Sequence, residues 1–269
     1  MTGTDQFQTA FGFSSLLICL TSLLFTAIQQ RTDKEHNQIY IALIYTVFFN
    51  TLCSLGALFI EPMLDEAIEA VVAYQILHFL YFTLHNTLAP LFYIYVTSVC
   101  GAAFQKNKKR NILYISVFAV TELLLITNPV TKFVYYCDRE HHFQRNIGEI
   151  FIYGSAVFFF ILAFRRLLSS WNALTKKRRT ALIYFFVLVV ICIITQLLFP
   201  KITVELFGES LGLMGIMLSV ETEDDKIADE AHDGLNQSRD GAIVMLEKGN
   251  IFVGEKQRVH TGGYKEHDG

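Results

Sequence analysis

Between Val71 and Cys100 the chain runs for thirty residues, VVAYQILHFLYFTLHNTLAPLFYIYVTSVC, without one Asp, Glu, Lys or Arg. As a helix rising about 1.5 Å per residue, this run is longer than the roughly 30 Å hydrocarbon core of a bilayer, so it tilts or protrudes. It is also the hydrophobic stretch richest in polar side chains. Tyr74, His78 and His85 recur at spacings that return to nearly one helical face, with Asn86 bordering it. Pro90, one turn on, removes a backbone hydrogen bond and predicts a kink. A lipid-facing helix has no use for such a stripe, which therefore predicts a helix turned into a bundle.

The rest of the sequence repeats the theme. The 269 residues are 52% hydrophobic, with 24 Phe, 12 Tyr, only four Pro and a mean hydropathy of +0.39, which overrules the soluble domains that length alone would allow. The hydrophobicity is blocky: runs over about 10–28, 39–60, 71–100, 111–127, 147–164, 181–199 and 202–220 alternate with short polar loops. These runs are continuous rather than alternating, so they predict an all-α membrane protein, a seven-transmembrane helix bundle, and not a β-barrel. The last carries Gly208, Gly212 and Gly215, with the first two in GxxxG spacing. The five cysteines suggest no disulfide framework.

Charge gives the orientation. The loops after the first, third and fifth helices hold 2, 4 and 6 Lys or Arg; the N-terminus and the other three loops hold 0, 0, 3 and 1. Twelve against four places the N-terminus outside and the C-terminal tail in the cytoplasm of a plasma-membrane protein. Residues 221–269 hold 12 acids and 6 bases, so a tail of −6 follows a membrane part of +3, which together make the overall −3.

That topology gathers the buried polar groups in the outer half of the bundle. Tyr74, His78, His85, Asn86, Glu122, Asn128, Gln196 and Glu209 are the expected lining of an outward-facing ligand pocket, because ionisable groups at membrane depth are costly and usually functional. Glu149 and Glu205 lie where headgroups would reach them. His78 and His85 are equally consistent with plain interhelical hydrogen bonding. His78, His85 and Glu122 lack a ligand spacing, so no metal or cofactor is assigned. No GxSxG, HExxH or P-loop occurs, and the seventh run lacks a Lys for a retinal Schiff base.

Two stretches carry a resemblance. Leu123-Leu124-Leu125-Ile126-Thr127-Asn128-Pro129 with Phe133-Val134-Tyr135-Tyr136, and Leu80 to Asn86 with Ala89-Pro90-Leu91-Phe92, resemble the fourth-helix exit and third helix of the bacterial seven-transmembrane sensory input region. That region precedes histidine kinase or GGDEF (diguanylate cyclase) output domains. Asp233-Gly234-Leu235-Asn236-Gln237 looks like an altered entry to a GGDEF domain, with Gly241–Lys248 as the start of its first helix; the metal-binding acids and signature would lie beyond Gly269. The alternative is a solvated acidic tail.

The resemblance implies a sensor module over 1–220 and a cytoplasmic tail over 221–269, without enzymatic activity in the chain as it stands. Its expected partners are the lipid bilayer and a small-molecule or membrane-borne signal; a homodimer stays open, and no nucleic-acid site is read. A small secondary transporter is the alternative, and a structural membrane partner without a ligand is a third class. A transport path would need polar groups through the inner half, which is almost wholly apolar here.

Overall fold

The computed structural model describes residues 3–28, 35–65, 67–101, 108–137, 143–198 and 204–221. The tail from 222 onward, including the GGDEF-like stretch 233–237, lies outside them, and the backbone contacts divide the chain between Val220 and Glu221. Seven α-helices occupy most of the described residues: α1 (Gly3–Ile28), α2 (Glu35–Ile60), α3 (Ile68–Val99), α4 (Lys108–Thr131), α5 (Glu149–Ser169), α6 (Lys176–Leu198) and α7 (Glu205–Ile216). Five of them, α1, α2, α4, α5 and α6, are long and apolar enough to cross a membrane. The 32 residues of α3 are sufficient in length, but its His, Gln, Asn, Thr and Tyr side chains dilute its hydropathy. α7 has only 12 residues before a five-residue π-helical turn, Met217–Glu221.

Several helices outrun their apolar runs. α1 starts at Gly3 rather than Ala10, and α5 continues to Ser169 rather than stopping at Phe164. Hydropathy marks where a helix is dry, whereas backbone hydrogen bonding decides where it ends. α4 passes through Pro129, the expected stop, to Thr131. Its end is set by Lys132, whose φ of 52° lets its N–H bond the Asn128 carbonyl at 2.7 Å. The helix likewise continues through Pro90.

Inside these helices the hydroxyl groups largely satisfy themselves. Thr26, Thr46, Thr87, Thr97 and Thr195 each donate to the carbonyl four residues earlier at 2.7–2.8 Å. That is how Ser and Thr are accommodated where water is scarce. Large apolar side chains point outward instead: Phe13, Leu17 and Leu24 on α1, Ile115 and Leu123 on α4, Val157 and Ile161 on α5 and Val187 on α6 are all more than half exposed. A surface of this kind is at home in lipid.

The core is aromatic and centres on α3, which packs along α2 and α5 and touches α4. Phe92 stacks on Phe185 of α6 at 4.1 Å, Tyr93 meets Tyr114 of α4 edge-on at 5.2 Å, and Tyr95 is fully buried against Tyr40 of α2. α7 packs on α6, α1 and α2. Its small residues permit this: a Cβ on Gly208 would run into Cys192 Sγ, and one on Gly212 would lie 2.6 Å from the Phe185 ring. The GxxxG spacing therefore serves a contact within the chain.

A β-hairpin, absent from the sequence reading, links α4 to α5. β1 (Tyr135–Cys137) pairs antiparallel with β2 (Phe143–Arg145), Tyr136 opposite Gln144. The hairpin lies over the N-terminal part of α3: Tyr135 stacks on Phe82 at 4.9 Å and Phe143 on His78 at 4.6 Å. The N-terminal ends of α1, α3, α5 and α7 and the C-terminal end of α2 share this end of the bundle.

Candidate functional site

The residues expected to line one pocket divide into separate groups along the bundle. Tyr74 and His78 form an aromatic layer beneath the hairpin, their rings 4.2 Å apart, with His78 Nδ1 3.0 Å from the Tyr74 carbonyl. Tyr74 is buried among Ala57, Leu64 and Val71. Asn128 is a structural clamp: its Oδ1 accepts from the Val134 and Tyr135 amides at 2.7 and 3.2 Å, and its Nδ2 donates to the Tyr135 carbonyl at 3.0 Å. Every polar atom of this buried amide holds the hairpin to the end of α4.

Asn86 and Glu122 make a second group. Asn86 Nδ2 donates to Glu122 Oε1 at 2.8 Å and to Thr121 Oγ1 at 3.0 Å, joining α3 to α4. Glu122 therefore pairs with Asn86 and not with a histidine of α3. One residue of sequence separates Asn86 from His85, and about 100° of rotation turns them to different neighbours. The side chain of Gln196, on α6, lies outside the described residues.

His85 and Glu209 do meet, together with Glu205, which the sequence placed at headgroup level. Glu205 and Glu209 stand one turn apart on α7, and His85 Nε2 reaches Glu205 Oε1 at 3.5 Å. One donor atom from each of the three lies within 4.8 Å of the others, so this trio could hold a metal ion. Tyr81 lies parallel to the His85 ring at 5.7 Å and fixes its plane. Beside the trio, Arg145 of β2 bonds Glu149 Oε1 at 2.9 Å and donates to the Tyr153 hydroxyl at 3.0 Å. Burial lowers the pKa of the Arg145 guanidinium, and the adjacent Tyr153 and Glu149 more than offset it, keeping the group charged.

His85, Glu205 and Glu209 with Arg145, Glu149 and Tyr153 line one end of a cavity of about 740 Å³. Its body is apolar, walled by Leu88 and Phe92 of α3, Val157 and Phe160 of α5, and Phe185 and Val189 of α6. α5 and α6 touch little along their length. The cavity opens between them, past the exposed rim residues Val157, Ile161, Val190 and Ile194. A space with polar groups at one end and hydrocarbon along the rest suits an amphiphilic occupant.

Arg145 and Tyr153 had no place in the sequence reading of the site. The one available signal was that Arg145, Glu149 and Tyr153 recur at four-residue steps; Glu149 and Tyr153 stand one turn apart at the start of α5, and Arg145 ends β2. Neither a family model, a curated protein nor a solved structure matches the chain.

Proposed function

We propose that this chain is a multi-pass membrane sensory module of seven spans, N-terminus outside, that takes an amphiphilic signal in the cavity and passes its occupancy to the cytoplasmic tail. The observation that carries this reading is the double role of α7. Its N-terminal turns supply Glu205, Glu209 and Leu213 to the cavity, and its C-terminal end runs through the π-helical turn toward the tail. A ligand preferring one packing of α7 against α3 shifts the population of that packing, and α7 carries the change across.

The count of seven rests on the central position of α3 and on the positive-inside asymmetry, which requires an odd number. Transport is the weaker reading. The polar lining is confined to one end of the cavity, and the core beyond it, built on Phe92, Tyr95, Val96, Phe159 and Leu182, is tightly buried. Among the described residues, an ion or solute crossing that stretch of core would meet tyrosine hydroxyls but no buried acid or base.

A chimera of residues 1–221 with an intact diguanylate cyclase domain tests the proposal without knowledge of the ligand. Val157→Trp, which places an indole at the cavity mouth, is expected to shift cyclic dinucleotide output at least threefold in either direction. Val187→Trp, on an outward-facing position of α6, is expected to leave it within experimental scatter. Equal output from both variants and the parent chimera would overturn the sensory reading.

A further inference from the structure

We propose that His85, Glu205 and Glu209 bind a divalent transition-metal ion of the zinc class, with the remaining coordination positions facing the cavity. The inference deepens the sensory reading and rests on it for the meaning of the site, but not for the binding itself.

Geometry comes first. Donors around a tetrahedral zinc sit roughly 3.4 Å from one another, from metal–ligand distances of about 2.0–2.2 Å. His85 Nε2 and Glu205 Oε1 already stand 3.5 Å apart, and the Glu209 oxygen completes a triangle whose longest side is at most 4.8 Å. Closing it takes a side-chain rotation and no movement of a helix. The donor set of one imidazole nitrogen and two carboxylates is that of a catalytic or regulatory centre with open positions, not of a closed structural one.

The second observation is what Glu209 lacks. The residue is 9% exposed, and its Oε2 atom is buried with no hydrogen-bond partner in the protein. A carboxylate oxygen left bare in an apolar setting is costly, by about 1–3 kcal/mol or more when charged. Glu205, four residues away on the same helix, is 7% exposed and adds a second buried acid. Among the described residues, the cation lining this end of the cavity, Arg145, is already held by Glu149 and Tyr153. A divalent ion balances both carboxylates at once and gives the bare oxygen a partner. It would also tie α3, through His85, to α7.

The test uses the full chain in lipid nanodiscs, stripped with chelator and then dialysed against Zn²⁺. One zinc per chain is expected, with affinity at least tenfold weaker in Glu209→Gln and in His85→Gln, and unchanged in Glu122→Gln. Absence of stoichiometric zinc in the parent, or parent-like binding in both site variants, would overturn the inference. Should the site variants fail to fold, the parent loaded with Cu²⁺ still decides. Hyperfine coupling to one nitrogen in an oxygen-rich sphere supports the site; coupling to two or more nitrogens, or no bound copper, overturns it. Zinc binding in a chain whose chimera ignores the Val157→Trp substitution would retire the sensory reading and leave the metal site standing. A chimera that responds in a chain that binds no zinc would do the reverse.

Discussion

Asn86 on α3 donates its amide to Glu122 on α4 at 2.8 Å, across thirty-six residues of sequence. With the companion bond to Thr121, it joins helices that share less contact than α3 has with α2 or α5, so removing Asn86 reports what this buried polar cluster contributes between helices in an apolar setting. Asn86→Leu is expected to lower bundle stability by about 1 kcal/mol, the usual scale for such pairs. Glu122→Gln is expected to cost less, because its amide oxygen still accepts from Asn86. Unfolding in mixed detergent micelles measures both. A Glu122→Gln loss exceeding that of Asn86→Leu would show that the carboxylate has another role.

Asn128→Ala removes three hydrogen bonds from the junction of α4 with the hairpin. The Val134 amide then loses its acceptor, and so does the Tyr135 amide. Hydrogen–deuterium exchange over 133–137 is expected to rise at least tenfold, with exchange in α2 unchanged. Unaltered exchange would mean that the aromatic stack of Phe82, Tyr135 and Phe143 holds the hairpin unaided.

At the α6–α7 contact, Gly208→Ala is expected to destabilise by about 1–3 kcal/mol through overpacking against Cys192. The added methyl group has nowhere to go while the sulfur is present. Cys192→Ala in the same chain is therefore expected to recover part of the loss. A double variant no more stable than Gly208→Ala alone would place the strain elsewhere.

Orientation follows from charge. Reporters active only outside the cell, fused after Lys109, Lys177 or Gly269, are expected to be silent, and one inserted between Cys137 and Phe143 is expected to be active. An active fusion at Lys177 would refute the proposed seven-span topology.

The helices were legible because hydropathy reports which segments are dry, and all seven coincide with apolar runs of 17–30 residues, the seventh as a shorter α-helix than its run. The arrangement of polar groups was legible only in part. Periodicity aligned Tyr74, His78 and His85 on one face, but it fixes angle and not depth. Eleven residues of helix separate Tyr74 from His85 by about 16 Å, enough for one to meet the hairpin and the other α7. The hairpin has strands of three residues, too short for an alternation to show, and depends on Asn128, a tertiary contact that no local pattern announces. Glu149 and Glu205 looked like headgroup ligands because each opens an apolar run; the fold turns both inward, onto one cavity.

The gap between α5 and α6 has a consequence for how any occupant would be titrated. A molecule entering there first dissolves in the bilayer, and its concentration at the mouth is the aqueous dose multiplied by a partition coefficient. Each further methylene, transferred at about 0.8 kcal/mol, would raise apparent potency about fourfold before touching a single residue of the cavity. Within a homologous series, chain length would then report on the membrane, and only the head group on the protein.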